Sequence, residues 1–354
     1  MAYTTIKKPS DYFNTKLYTG TGSQLAVTGV GFQPDFVWFK NRGTTNSHGL
    51  QDVVRGFNTT GIQSSNGTDA YPSFDGSTLG YVSAVGSDGF TVEAGGCANA
   101  SGNNYVSWNW LASNTTASNT DGSITSTVSA NTTSGFSIVS YTGTGSVATV
   151  GHGLGAIPDM ITVKNLSTGS TNWRSIFPNM VLGGASNGAD YNLNLNTTNP
   201  WNDGTEFNDT MPTSSVFTIG TAGDVNTNGD NYIAYCWKNI KGYSKIGSYT
   251  GNGNANGPFV YTGFKPAWVV IKRTDSTESW GIIDNKRQIY NPNNTRLFAN
   301  LTVADDTSEL GIDLLSNGFK IRNSWSGNNA SGGTYIYMAF AEEPLVGDNP
   351  ATAR

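Results

Sequence analysis

The sequence predicts an all-β protein built as three tandem antiparallel β-sandwich domains of about 105 residues each, the size of an autonomous domain. Three observations carry this. First, Gly, Asn, Ser and Thr punctuate short runs of Val, Ile, Phe, Tyr and Trp, which is how strands separated by turns read. Aromatics make up 12% of the chain and charged residues only 13%, so the low apolar share does not signal disorder, which needs the reverse. Second, one strand pattern occurs three times: Y-V-S-W-N-W from Tyr105, Y-I-A-Y-C-W from Tyr232 and Y-I-Y-M-A-F from Tyr335. Third, no segment keeps a helical period over three turns; the nearest is Thr307 to Leu315, with Leu310, Leu314 and Leu315. Strands without crossover helices pair antiparallel, and a sheet with one apolar face needs a second sheet, so each unit is expected to be a jelly-roll-like sandwich, with a closed barrel as the alternative.

In chain order, residues 1–12 form an N-terminal arm and residues 13–113 the first repeat. A Ser/Thr/Asn-rich stretch at 114–133 reads as a linker, with a span of roughly 25 Å as a flexible coil. Repeats two and three follow at 134–240 and 241–344, joined by only Lys238 to Gly242, and residues 345–354 form a tail. Each repeat opens on Tyr-Thr-Gly at Tyr18, Tyr141 and Tyr249, with a second glycine at Gly22, Gly145 and Gly253. Pro34, Pro158 and Pro266 follow 16 or 17 residues after the tyrosine, and Lys40, Lys164 and Lys272 stand six residues further on. Between Pro and Lys run F-V-W-F, M-I-T-V and W-V-V-I, strand cores opened by a residue that cannot donate to a ladder. Gly89-Phe90, Val216-Phe217 and Gly318-Phe319 precede the closing strand. A period this long excludes a solenoid or propeller blade.

The net charge is -5 and no Lys/Arg cluster exists, so nucleic acid has no electrostatic footprint here. No run reaches the 18 or so apolar residues of a membrane span, and the N-terminus lacks the apolar core of a signal peptide, which points to synthesis in a cytoplasm. Cys97 and Cys236 lie in different repeats and read as two buried thiols rather than a redox pair.

Chemistry is sparsely marked. His48 and His152 are the two histidines; His152 sits in a glycine-rich turn, and His48 with Asp52 would make half of a triad. No nucleophile elbow, zinc motif or phosphate loop is present, so the chain reads as not an enzyme. A recurrent pair is more specific: Lys40 is followed after eight residues by H-G-L-Q-D-V-V-R, and Lys272 by W-G-I-I-D-N-K-R. Asp52 with Arg55, and Asp284 with Arg287 beside Trp280, offer a carboxylate, a guanidinium and an aromatic face to a glycan. The competing reading is an Asp–Arg pair that fixes a turn between strands. The second repeat keeps Trp173 but has no matching aspartate. Calcium could be met by oxygens at Asn226 to Asn231 or Asp305-Asp306, with no site assigned and no cofactor otherwise implied.

The opening Met1 to Phe13, the Gly151 to Lys164 stretch (G-H-G-L-G-A-I-P-D-M-I-T-V-K), the Trp268 to Lys272 strand and the ending Gly332 to Pro344 resemble a family of repeat proteins in tailed phages, especially phages of marine bacteria and cyanobacteria. The resemblance implies lectin-like sandwiches of the concanavalin or laminin-G type and a virion structural protein. The leading expectation is a tail fibre or host-surface adhesin with weak glycan-binding modules, made effective by linkage. The alternative is a capsid decoration or head-fibre protein without a ligand, and a glycan depolymerase is the lesser reading. Partners implied are other virion proteins, a homotrimer by analogy with phage fibres, and host polysaccharide. Met1, Tyr3, Ile6, Pro9, Tyr12 and Phe13 are then the candidate docking residues of the arm.

Overall fold

The computed structural model describes residues 4–70, 76–180, 185–308, 311–346 and 350–351, and it is all-β with several antiparallel sheets. Repeat 1 holds β1 (Phe13–Thr19), β2 (Leu25–Thr28), β3 (Phe36–Asn41), β4 (Gly49–Asp52), β5 (Val82–Gly86), β6 (Gly89–Val92) and β7 (Asn104–Trp110). Next come β8 (Ala117–Asn119) and β9 (Ser126–Asn131). Repeat 2 continues with β10 (Phe136–Thr142), β11 (Ala148–Gly151), β12 (Met160–Asn165), β13 (Arg174–Ile176), β14 (Tyr191–Asn194), β15 (Asn202–Asp203), β16 (Val216–Ile219) and β17 (Asn231–Trp237). Repeat 3 holds β18 (Ser244–Thr250), β19 (Phe259–Tyr261), β20 (Phe264–Arg273), β21 (Gly281–Asp284), β22 (Leu297–Phe298), β23 (Ile312–Leu315), β24 (Gly318–Ile321) and β25 (Thr334–Pro344).

The same sheet order recurs: β1-β7-β3-β4, β10-β17-β12-β13 and β18-β25-β20-β21. Register recurs with it, since Tyr18 pairs with Tyr105, Tyr141 with Tyr232 and Tyr249 with Tyr335. On the other side Phe36 faces Trp110, Met160 faces Trp237 and Trp268 faces Phe340. A smaller sheet accompanies each: β2-β6-β5, β11-β16 and β19-β24-β23. There Val27 pairs with Phe90, Val150 with Phe217 and Val260 with Phe319.

The repeated Tyr-Thr-Gly-x-Gly has a physical reason. The opening tyrosine stacks on the closing-strand tyrosine at 5.1, 5.0 and 4.9 Å in the three repeats, with rings within 12° of parallel. A Cβ on Gly20, Gly143 or Gly251 would collide with the carbonyl oxygen of Ala100, Thr227 or Ala330, and Gly22, Gly145 and Gly253 all turn at positive φ. A buried asparagine before the closing strand then clamps the loop. Asn99, Asn226 and Asn329 accept from the backbone N–H of Thr21, Thr144 and Asn252 at 2.7, 2.7 and 2.8 Å.

Alternation along the closing strands decides the packing. Tyr232, Ala234 and Cys236 face a core shared with β11 and β16; Tyr335, Tyr337 and Ala339 face one shared with β19, β23 and β24. Val37 and Phe39 of β3 do the same for β2, β5 and β6. The opposite faces do not meet water. Val106, Trp108 and Trp110, Ile233, Tyr235 and Trp237, and Ile336, Met338 and Phe340 belong to one further core drawn from all three repeats.

Several expectations are thereby corrected. The repeats are not self-contained units in a row, because their larger sheets bury their second faces against one another. The stretch 114–133 is not a coil: β8 and β9 extend the sheet of repeat 2, and Ile124, Ser126 and Val128 alternate inward. Between Thr307 and Leu315 the chain forms β23, not a helix, with Leu310 outside the described residues. The N-terminal arm is packed on its own chain. Ile6 and Phe13 are buried in the shared core, Pro9 is buried and Tyr12 half-buried, while Met1 and Tyr3 lie outside the described residues. Cys97 and Cys236 are free and buried, and burial pushes the Cys97 thiol up to about 11.

Candidate functional site

The residues that the sequence singles out converge on the seams between repeats. Trp280 donates its indole N–H to the carbonyl of Asn194 at 2.9 Å, and Trp173 donates to Ser64 at 2.8 Å. His48 occupies the same position in repeat 1. Its Nδ1 accepts from the Trp38 indole at 2.8 Å, so Nε2 carries the proton and donates to Phe298 at 3.0 Å. The acceptors are equivalent, because Gln63, Leu193 and Leu297, the residues just before them, each pair with the strand that follows the donor. Repeat 1 thus reaches repeat 3, repeat 2 reaches repeat 1, and repeat 3 reaches repeat 2. Head-to-tail contacts of one kind close into a ring.

The smaller imidazole in repeat 1 is matched by a larger neighbour. Trp38 stands where repeats 2 and 3 have Thr162 and Val270, so His48 with Trp38 fills the space that Trp173 with Thr162, or Trp280 with Val270, fills elsewhere. Burial drives the His48 pKa well below its ordinary value, and burial lowers that of His152 as well.

The Asp–Arg pairs lie in the same seams. Asp52 accepts from the backbone N–H of Val54 and Arg55, from Arg55 Nε at 2.5 Å and from the Tyr235 hydroxyl of repeat 2 at 2.8 Å. Asp284 accepts from Lys286 and Arg287 N–H, from Arg287 Nε at 2.6 Å and from the Trp108 indole of repeat 1 at 3.1 Å. Burial would push the Asp284 carboxyl up, but the Arg287 charge and these hydrogen bonds outweigh it and hold it below the usual range. Repeat 2 has Phe177 at the aspartate position, and the residue equivalent to Trp108 and Tyr235 is Met338. Acceptor and donor are both absent at that seam, so neither leaves the other unpaired. Asp52, Asp284, Arg287 and Trp280 are buried and the Arg55 side chain is nearly so, so a glycan on the surface cannot touch the five residues the sequence nominated for it.

Lys40, Lys164 and Lys272 are also fully buried. Lys164 Nζ donates to Thr68 of repeat 1 and Lys272 Nζ to Thr198 of repeat 2, both at 3.2 Å and both four residues beyond the indole acceptor. Lys40 donates to Asn41 at 2.6 Å within its own repeat. Burial lowers Lys40 and Lys164 to about 8 and Lys272 to about 7.

At the centre, six tryptophans (Trp38, Trp110, Trp173, Trp237, Trp268 and Trp280) line a cavity of about 30 Å³. That is room for one or two waters and too little for a cofactor. The oxygens considered for calcium have other work: Asn226 clamps a loop, Asp305 pairs with Arg42 and Arg287, and Asp306 pairs with Arg296. Among the described residues no group of three or more His, Cys, Asp or Glu could hold a metal, and no helix is long and apolar enough to cross a membrane.

One family model, described as a domain of unknown function (DUF7483), matches residues 8–344. The chain belongs to the DUF7483 family. No curated protein matches it. The DUF7483 match runs through all three repeats and both seams that the chain crosses, so the family unit coincides with the ring rather than with one repeat. Among the described residues of this DUF7483 chain no exposed aromatic repeats threefold: Phe259, Tyr261 and Tyr290 are all in repeat 3. In the sequence no copy-to-copy pattern marks them, since they belong to one repeat only.

Proposed function

We propose that this protein is a non-catalytic structural component of a phage particle, carried on the tail as a host-surface adhesin built from three lectin-like sandwich repeats. The observation that carries the reading is the closed ring. The second faces of three sheets are spent on one aromatic core, and His48 and the Asp–Arg pairs are committed to seams. Such a body is rigid and presents its loops outward, which suits display. The phage resemblance of the opening, the Gly151 to Lys164 stretch and the ending supplies the setting. A homotrimer would give a closed threefold surface; here one chain supplies three copies of the contact itself, so we take the single chain as the displayed unit.

Decoration of the capsid shell is the second reading. It would use the N-terminal arm, and the burial of Ile6 and Phe13 within the chain favours the adhesin instead. Cryo-electron microscopy of particles that contain the protein tests the choice. Density at the tail tip is expected; density on the shell, with the arm wedged between shell subunits, would overturn it in favour of decoration.

A further inference from the structure

Three copies of one architecture provide an internal control. A feature that all copies share is required by the fold, whereas one that a single copy carries is not. Repeat 3 departs from the others on β19. Val260 points into its core, so Phe259 and Tyr261 share the outward face. Registered through the Val–Phe pairs, the same two positions are Ala26 and Thr28 in repeat 1 and Thr149 and Gly151 in repeat 2. The fold therefore needs no aromatic there, yet Phe259 is 45% and Tyr261 56% exposed.

Tyr261 stands on the wall of a cleft of about 420 Å³, within the size range of small-ligand sites. Asn239 and Lys241 reach it from the connection between repeats 2 and 3, Ser244 and Lys245 from β18, and Thr262 from the turn after β19. The wall is held in place before any ligand arrives. Asn239 exchanges hydrogen bonds with the Ile246 backbone, Ser244 bridges Lys238 and Ile240, and the Thr262 hydroxyl donates to Phe264 at 2.7 Å. Charge selects the ligand. Two lysines line the cleft and no carboxylate does, in a chain whose net charge is -5. Asp159 pairs with Lys238 and Glu342 with Lys265, each at 3.1 Å.

We propose that this cleft is a binding site for acidic carbohydrate, with the C–H face of a sugar ring against Tyr261 and a uronate carboxylate held by Lys245. The inference rests on the adhesin reading and gives it a place and a ligand class. It also differs from a threefold array of sites, since repeats 1 and 2 lack the aromatic.

The test is titration calorimetry of the full chain with a hexamer of galacturonate and, as a neutral match, maltohexaose. The uronate is expected to bind at least tenfold more tightly than maltohexaose and to weaken as salt rises. Tyr261→Ala and Lys245→Ala should each cost tenfold or more, while Tyr290→Ala, which removes the other exposed tyrosine among the described residues, should change nothing. Equal binding of the uronate by wild type and Tyr261→Ala would overturn the site. Preference for maltohexaose would overturn the acidic ligand. If the hexamer fails but whole host-surface polysaccharide still binds, the cleft inference falls and the adhesin reading stands; if neither binds, both fall.

Discussion

The indole of Trp108 donates to the carboxylate of Asp284 at 3.1 Å, across 176 residues of sequence and across the seam between repeats 1 and 3. Arg287 neutralises that carboxylate from its own repeat, so the bond fixes how two repeats meet. Removing one partner of a buried ion pair strands the other, at a cost of about 3–5 kcal/mol. Asp284→Ala should therefore lower stability by about that much, and Trp108→Phe, which removes only the donor, by about 1–3 kcal/mol. Urea unfolding measures both, and losses below 1 kcal/mol would mean that the seam does not depend on this contact.

One shared core implies one transition. Tryptophans from every repeat meet in it, while strand content is spread over all the sheets. Tryptophan fluorescence and far-ultraviolet circular dichroism should report the same urea midpoint. Separated midpoints would show that the repeats unfold as independent bodies.

His48 and Trp38 should behave as a size-matched pair. His48→Trp alone overfills the seam and is expected to cost about 1–3 kcal/mol. Trp38→Val alone leaves a cavity and is expected to cost about 3 kcal/mol or more. The double variant recreates the pairing of Trp280 with Val270, so its loss should be smaller than the sum by about 1–3 kcal/mol. Simple additivity would show that the two residues do not share space.

The three buried lysines give a signed pH dependence. Their folded pKa values, about 8 for Lys40 and Lys164 and about 7 for Lys272, lie below the 10.5 of a free side chain. Between these values the unfolded chain holds protons that the folded chain has released, so stability rises with pH from about 7 to about 10. Above about 10 the unfolded tyrosines ionise while Tyr18, Tyr141 and Tyr249, whose hydroxyls are buried, resist, and the trend reverses. Urea midpoints at pH 7, 8.5 and 9.5 should climb. Lys272→Met should flatten the low end of the climb; its absolute midpoint is less informative, because the Thr198 and Arg273 carbonyls lose their donor. A flat profile in the wild type would contradict the burial of charge.

The legible part of this molecule was what each repeat does alone. Tyr-Thr-Gly, the Pro-to-Lys spacing and the closing strand are local devices, and each is answered by a local stack, collision or clamp. The seams were not read, although two signals for them were present. F-V-W-F and W-V-V-I are apolar on both faces, which marks a strand covered on both sides. Phe177 and Met338 replace an acceptor and its donor together, and that change becomes visible only when the repeats are aligned against each other rather than each against a motif. The alternation of Ile124, Ser126 and Val128 was hidden by its serine. The five nominated glycan residues failed for the same reason as the seams: an Asp, an Arg and a Trp near one another look alike in a surface groove and in a buried joint, and only the neighbouring repeat tells them apart.

Two of the three seams are crossed by the chain, at residues 114–133 and at Lys238 to Gly242, and the seam between repeats 1 and 3 is not. The N-terminal arm lies there. Thr4 sits against Gly242, the turn Pro9–Asp11 packs on β25, Ile6 enters the shared core and Phe13 stacks on Phe340 at 4.9 Å. Arg42 and Asp305 add an ion pair across the same seam at 2.8 Å. The arm thus acts as a clasp for the one joint without a covalent connection. Ile6→Ala should cost about 2–5 kcal/mol, and its effect should be local before it is global. Hydrogen exchange should speed up first along β1 and β25, with β9 and β10 on the far side of the ring unchanged until denaturant approaches the midpoint. Uniform acceleration over the whole chain would mean that the arm contributes burial in general and does not hold this seam.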